Sequence, residues 1–394
     1  VEQLLLLAGR SLPQFPPDYQ LQILMHMNSR QIIGKIHLWL GIPTGLLVFV
    51  IAVTGCLYAF QEEIQQLSQP YRNVVQEDKP LFPPSKLQII AQNELPGKLL
   101  HSIKYHEKGK AAEAIFYNFE EHYYYSVFLN PYRGQVLKVR DNEAGFFHFI
   151  LDGHFYLWLP PKIGQPVVAT STLIFVVILI SGLILWFPGN KKYIRKNMSF
   201  SWSANTHWKK KIFDLHNILG FYVCLFALIL AFTGLVWGFQ WFANGLHKTA
   251  GGSKSLEYAD PGSTKIGEQL AITSPIDSVW MMMQREYPQA KSIEVHPPET
   301  DKSSIMANAN VNAGTYWKTD YRYFDQYTLK EIEVNHIYGK LKDAGFADKL
   351  LRMNYDIHVG AIGGFPGKII VFLIGLLVAS LPVTGFLIWW KIKN

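Results

Sequence analysis

"HLWLGIPTGLLVFVIAVTG" at residues 37–55 and "HNILGFYVCLFALILAFTG" at residues 216–234 share one design. Each is an apolar run that opens on a histidine, carries a glycine four positions later at Gly41 or Gly220, and closes on Thr54-Gly55 or Thr233-Gly234. Positions four apart lie on one face of a helix, so each histidine shares its face with a residue that has no side chain. A second pair of motifs repeats at equal separation. Gly164 is followed by Ser181-Gly182 and "LILWF", and Gly367 by Thr384-Gly385 and "FLIWW", with His154 and His358 upstream. The chain therefore reads as a duplicated unit of membrane helix, polar domain and membrane helix, over about 28–190 and 205–394, and such repeats dictate architecture.

The composition, 49% hydrophobic and 17% charged, is ordinary until the charges are mapped. No Asp, Glu, Lys or Arg occurs in 36–61, 163–190, 215–247 or 369–390, and each window is long enough for a helix to cross a hydrocarbon core, which takes about 20 residues. Lys191, Lys192, Arg195, Lys196, Lys209, Lys210 and Lys211 crowd the short connection between the second and third windows without one acidic residue, which marks it as cytoplasmic. The long connections mix both signs and fit exported domains, so both termini fall inside. The net charge of +7 is a topology signal, and nucleic-acid binding is not implied.

The organisation expected is an N-terminal extension, 1–27; a first membrane helix, 28–66; an exported domain, 67–145; an interfacial helix and second membrane helix, 146–190; a basic cytoplasmic loop, 191–207; a third membrane helix, 208–247; a second exported domain, 248–350; and a fourth membrane helix, 351–394. The first 24 residues lack the bounded pattern of a signal peptide, and Met25 or Met27 is the expected translation start. In the exported parts, 84–95 and 275–288 read as helices, and 114–119, 122–130, 291–298 and 321–328 as strands. The fold class is thus an α-helical membrane protein, four spans in two pseudo-repeats, with two small α+β exported domains. Cys56 and Cys224 both lie in spans and read as packing residues.

Four of the 13 histidines recur at corresponding places, His37 with His216 and His154 with His358. With spans one and three running outward, the first two sit near the cytoplasmic surface and the other two near the exported surface. One histidine at a membrane edge has an ordinary explanation in interfacial anchoring. Two symmetric pairs point to a ligand site, because polar groups in a bilayer are expensive. Zinc stays open, but structural zinc takes four protein ligands and catalytic zinc three, and only Asp214 and Asp356 stand nearby. Haem iron needs two axial ligands and room for a flat ring, which Gly41, Gly45 and Gly220 could give, and iron with both axial positions filled moves electrons. His148 and His247, also near the exported face, are alternative ligands, but neither has a counterpart in the other unit and an interfacial role is the first reading of each. Gly55, Gly182, Gly234 and Gly385 read as close helix packing.

"LISGLILWFPG" (179–189), "DLHNILGFY" (214–222) and "DIHVGAIGGFPGKI" (356–369) with "LPVTGFLIWW" (381–390) closely resemble the PepSY-associated transmembrane family of bacterial iron-regulated membrane proteins. The resemblance covers nearly everything after Met27. It implies four membrane helices carrying exported PepSY-like domains in the bacterial inner membrane. It also implies haem b, two groups, held by His37, His216, His154 and His358, and reduction of a ferric chelate, a siderophore, on the periplasmic side with release of ferrous iron. The electron donor is external, a quinol or a cytoplasmic reductase, since no Gly-x-Gly-x-x-Gly strand-helix unit is present. The rival from another class is a membrane-anchored protein that binds or regulates an exported peptidase or other partner, which would need the exported domains and no histidine pairs. Transport through the bundle is disfavoured by spans without internal charge. Trp158, Trp237, Trp241 and Trp317 read as interfacial anchors for the most part.

Overall fold

The computed structural model describes residues 28–188, 194–264 and 274–393. The expected extension at 1–27, with Met25 and Met27, lies outside the described residues, as do Lys191 and Lys192 of the basic loop. Among the described residues four helical stretches are long and apolar enough to cross a membrane: Ser29–Ser68, Pro161–Trp186, Trp208–Gly238 and Ala361–Trp390.

The chain begins with α1 (Ser29–Tyr58), capped by the Asn28 side chain, which accepts from the Arg30 amide while Gln31 reaches back to the Asn28 amide. A one-turn break leads to the polar α2 (Gln61–Ser68), then α3 (Pro84–Glu94) and four strands: β1 (Leu100–His106), β2 (Ala112–Asn118), β3 (Tyr123–Leu129) and β4 (Val136–Asp141). Next come α4 (Phe146–Tyr156) and the long α5 (Pro161–Trp186). The second half repeats the order with α6 (Trp208–Gly238), α7 (Gln240–Thr249), α8 (Pro275–Glu286), β5 (Ser292–His296), β6 (Ile305–Asn310), β7 (Asp320–Phe324), β8 (Glu331–Ile332), the short α9 (Phe346–Arg352) and α10 (Asn354–His358), and the long α11 (Gly364–Lys393).

Long helices α1, α5, α6 and α11 form a ring in which each packs against two neighbours, α1 on α5 and α11, and α6 on α5 and α11. Val48, Leu179, Val223, Cys224, Ala227, Val378 and Leu381 fill its middle. Pro43, Pro166 and Pro382 lie inside these helices, where neighbouring helices and side-chain hydroxyls offset the missing hydrogen bond.

The two polar segments do not fold as two separate domains. All eight strands form one antiparallel sheet in the order β4-β3-β2-β1-β5-β6-β7-β8, which is symmetric about the seam between β1 and β5. Ile103 pairs with Val295 and Lys104 with Glu294 across that seam. A separate module would leave its first strand as an open edge able to pair with other chains, and joining the two first strands removes both edges. One face of the sheet is apolar and carries α3 and α8, with Leu87, Val279 and Met283 seated on Ile103, Phe116, Val295 and Ile305. Asp277 at the start of α8 accepts from the Ser85 amide and hydroxyl at 2.8 and 2.6 Å, tying the two helices together. The other face is polar, bearing Lys104, Glu113, Ser126, Glu294 and Asn308 (alternate positions on the strands).

Candidate functional site

His37 stands near the start of α1 and His216 near the start of α6, on helices that do not adjoin in the ring. Their rings meet across the bundle, with centroids 6.4 Å apart and planes at 80°. At the end nearer the sheet, His154 on α4 and His358 on α10 meet in the same way, with centroids 6.1 Å apart and planes at 61°. Along α1, Thr54, which touches His154, lies about 25 Å from His37 at 1.5 Å rise per residue. The pairs thus stand near opposite ends of the bundle, which is where the sequence puts them.

Each imidazole is held from a neighbouring long helix by one repeated device. His37 Nδ1 lies 3.1 Å from the Ile178 carbonyl and 2.9 Å from Ser181 Oγ on α5. His216 Nδ1 lies 3.1 Å from the Leu381 carbonyl and 3.0 Å from Thr384 Oγ1 on α11. His154 Nδ1 lies 2.8 Å from the Ile51 carbonyl and 3.4 Å from Thr54 Oγ1 on α1. His358 Nδ1 lies 2.8 Å from Thr233 Oγ1 on α6 and also faces the Leu230 carbonyl. In every case the hydroxyl sits one turn beyond the carbonyl.

The glycine after each hydroxyl residue receives the ring. A Cβ built on Gly182 would stand 3.1 Å from His37 Cε1, on Gly385 3.2 Å from His216 Cε1, on Gly55 2.9 Å from His154 Cε1 and on Gly234 3.8 Å from His358 Cε1. For Gly55, Gly182 and Gly385 the assignment to helix packing is therefore corrected, since the approach they permit is that of an imidazole edge, whereas a Cβ on Gly234 would make only ordinary contact with Thr172 and His358. The hydroxyls of Thr54, Ser181, Thr233 and Thr384 were not singled out as functional from the sequence. Their signal was the Ser/Thr-Gly dipeptide recurring at fixed distance from the repeat's landmarks.

Among the described residues the Nε2 atoms of these four histidines form no hydrogen bond. Two imidazoles bonded to opposite sides of one metal ion, at metal–nitrogen bonds of about 2.0–2.1 Å, have ring centres about 6.3 Å apart. Both pairs fit that separation. Gly41, one turn past His37, has nothing within 4 Å of a built Cβ, so the helix surface there is open; Gly45 and Gly220 instead face Pro382 and Leu381 on α11. No cluster of three or more His, Cys, Asp or Glu able to hold a metal ion occurs among the described residues, which argues against zinc bound by side chains alone. Helix bundles build cofactor sites in this manner, from inward side chains on facing helices.

His148 and His247 are not brought to either pair. His148 Nε2 lies 3.3 Å from Asp152, one turn along α4. His247 is buried on α7 with Nε2 2.9 Å from Asp348 Oδ1, and Lys254 lies 3.4 Å from the other oxygen. Both imidazoles are occupied by carboxylates. Trp237 serves the site more closely than interfacial anchoring implies, with its ring 5.2 Å from His358. Trp158 caps the turn after α4, donating from Nε1 to the Phe149 carbonyl at 2.8 Å.

The sheet-side pair is fixed by the turns that precede α5 and α11. Leu157 and Trp158 adopt positive φ, 54° and 57°, and the Tyr156 carbonyl abuts Gly164, where a Cβ would stand 2.2 Å away. The equivalent turn presses the Gly360 carbonyl on Gly367 at the same 2.2 Å, and Gly360 itself has φ 78°. Asp356, two positions before His358, has no exposed surface and accepts from the amides of Tyr316 and Trp317 at 3.0 and 2.8 Å, so the loop after β6 is tied to the helix that carries His358. Its counterpart Asp214, two before His216, accepts from Trp202 Nε1 at 2.9 Å.

On the polar face of the sheet the Lys104 ammonium lies 3.7 Å from Glu294. Burial alone would raise the Glu294 carboxyl, but Lys104, His296 and hydrogen bonds from Ser102 and Asn308 outweigh it and hold the pKa at about 2. Burial keeps the His296 imidazole neutral, with its pKa lowered to about 4 in spite of Glu294. A half-open cavity of about 430 Å³ adjoins this row, lined by His101, Tyr258, Asp260, His296, Tyr321 and Tyr323 among others.

The family model described as the PepSY-associated TM region matches residues 35–391. A comparison with curated proteins finds no match.

Proposed function

The chain belongs to the PepSY-associated TM region family, and from that premise we propose that it is an inner-membrane, haem-dependent reductase that passes electrons across the membrane to a ferric chelate. His37 with His216, and His154 with His358, would each hold one haem b through Nε2. Haem iron with two histidine ligands exchanges single electrons and keeps no position open for oxygen. The observation that carries the reading is the pair of imidazole separations, 6.4 and 6.1 Å, repeated by a pseudo-symmetric device at both ends of the bundle.

The chain's own contribution is positional. Glycines admit the ring edges, hydroxyl and carbonyl groups orient Nδ1, and the apolar middle of the bundle keeps water from the space between the pairs. Lys209, Lys210 and Lys211 at the start of α6 support, by the positive-inside rule, a reading in which the His37–His216 end and both termini face the cytoplasm of a bacterial cell. The sheet then lies in the periplasm. There a siderophore or other ferric chelate accepts the electron, and the resulting ferrous ion, less charge-dense, is held less tightly by hard oxygen ligands. The donor is external, a quinol or a cytoplasmic reductase.

The test is a proteoliposome with the reductant sealed inside, a ferric hydroxamate outside, and an outside ferrous indicator dye. Dye formation that requires the protein and is lost in both His216→Ala and His358→Ala is expected. Equal rates in wild type and both variants would remove the reductase reading and favour a partner-binding role for the sheet.

A further inference from the structure

The Ser/Thr hydroxyls beside the four histidines each reach a carbonyl of their own helix. Thr54 Oγ1 donates along its own helix to the Val50 or Ile51 carbonyl at 2.7 and 3.0 Å, Thr233 to Ile229 or Leu230 at 2.9 Å, Thr384 to Ser380 or Leu381 at 3.0 Å, and Ser181 to Ile178 at 2.9 Å. A hydroxyl has one hydrogen. With that hydrogen given to a carbonyl, the face it turns to the histidine can only accept. The carbonyl beside it also only accepts. The Nδ1 atom of each ring must then carry the proton, which leaves the lone pair on Nε2.

We propose that Thr54, Ser181, Thr233 and Thr384 are positioning residues that lock the four imidazoles in the Nδ1-protonated tautomer and, by accepting from Nδ1, make each Nε2 a stronger donor to the group it holds. The second half of this statement rests on the haem reading; the first does not. A ligating histidine whose other nitrogen is hydrogen-bonded is fixed in orientation and raised in basicity, and a more basic ligand favours the ferric state.

The distances grade the effect. His358 has its short contact with Thr233 Oγ1, 2.8 Å, whereas His154 has its short contact with the Ile51 carbonyl, 2.8 Å, and a long one with Thr54 Oγ1, 3.4 Å. Removing the Thr233 hydroxyl should therefore matter more than removing that of Thr54, although both serve the same end of the bundle.

Thr233→Val and Thr54→Val keep the β-branched shape and remove only the hydroxyl. Histidine-selective ¹⁵N labelling and solid-state NMR of the haem-free protein would report the tautomer directly. Wild type is expected to show all four rings protonated at Nδ1, and Thr233→Val to show one ring of mixed tautomer while Thr54→Val resembles wild type. A spectroelectrochemical titration of the haem-loaded protein should then give a raised sheet-side midpoint potential in Thr233→Val, a smaller rise in Thr54→Val, and return toward wild type in Thr233→Ser. Wild-type rings protonated at Nε2, or equal potentials in Thr233→Val and wild type, overturn the proposal. Correct tautomers in a protein that takes up no haem would leave the lock standing and sink the haem reading alone.

Discussion

His37 and His216 ride on α1 and α6, helices of 30 and 31 residues, whereas His154 and His358 ride on α4 and α10, of 11 and 5 residues. The long helices are fixed by packing along their whole length. A five-residue helix has too few internal hydrogen bonds to persist alone, so α10 depends on what it is tied to. Those ties reach into the sheet domain and the bundle at once: Asp356 to the 316–317 amides and Asn354 Nδ2 to the Thr233 carbonyl at 3.1 Å, with Arg352 at the end of the preceding α9 donating to the Thr319 and Gly339 carbonyls. The far pair is thus a property of the bundle, and the sheet-side pair a joint property of bundle and sheet. The same chemistry at two ends is exposed to different perturbations.

The sharpest way to break this comparison is to remove one histidine at a time. His216→Ala should lower haem content from two per chain to one and leave the sheet-side haem's spectrum unchanged, and His358→Ala should do the reverse, both read by pyridine haemochrome and low-temperature spectra. Loss of both haems in either variant would mean that the two ends are not separate sites.

A smaller effect, confined to one end, is expected from Asp356→Asn. The buried carboxylate accepts two backbone amides, and hydrogen bonds to a charged acceptor contribute about 1.5–3 kcal/mol each, of which the amide oxygen recovers part. The sheet-side haem should broaden and exchange of the 312–318 amides should quicken, while the far haem keeps its spectrum. Equal change at both ends would show that the sheet supports the whole bundle.

The mildest perturbation is acid, and it should act on the sheet first. His296 takes its proton near 6.5 when unfolded but only near 4 when folded, so its contribution is present above 6.5 and is lost as pH falls toward 4. Glu294, ordinarily near 4.5 and held at about 2 in the fold, contributes above 4.5 and is lost as pH falls from there to 2. Both act in the same direction, each on the order of 3 kcal/mol. Far-ultraviolet melting of the sheet should decline from pH 6.5 downward, with the far-pair spectrum retained longest. Glu294→Gln should flatten the part below pH 4.5.

Much of this architecture was legible in the residues. Charge-free windows located the long helices, and the Thr-Gly and Ser-Gly landmarks located the four histidines in two pairs at opposite ends of the bundle. Strands β2, β3, β5 and β7 were legible from aromatic and β-branched runs. β6, "IMANAN", was not, because alanine and asparagine have little strand propensity and are held there by pairing to β5 and β7. The single sheet was also out of reach, since the Ile103–Val295 pairing joins segments with a membrane hairpin between them. The partners of His247 and His148 were out of reach as well, since Asp348 is distant in sequence and Asp152 faces His148 only once both stand one turn apart on a helix.

An optical spectrum of the detergent-purified chain, oxidised and then dithionite-reduced, with haem stoichiometry, bears most directly on the paired histidines. Two low-spin, bis-histidine b-type haems per chain are expected. A chain that carries none, after expression with ample haem supply, contradicts the reading of the two pairs as haem sites.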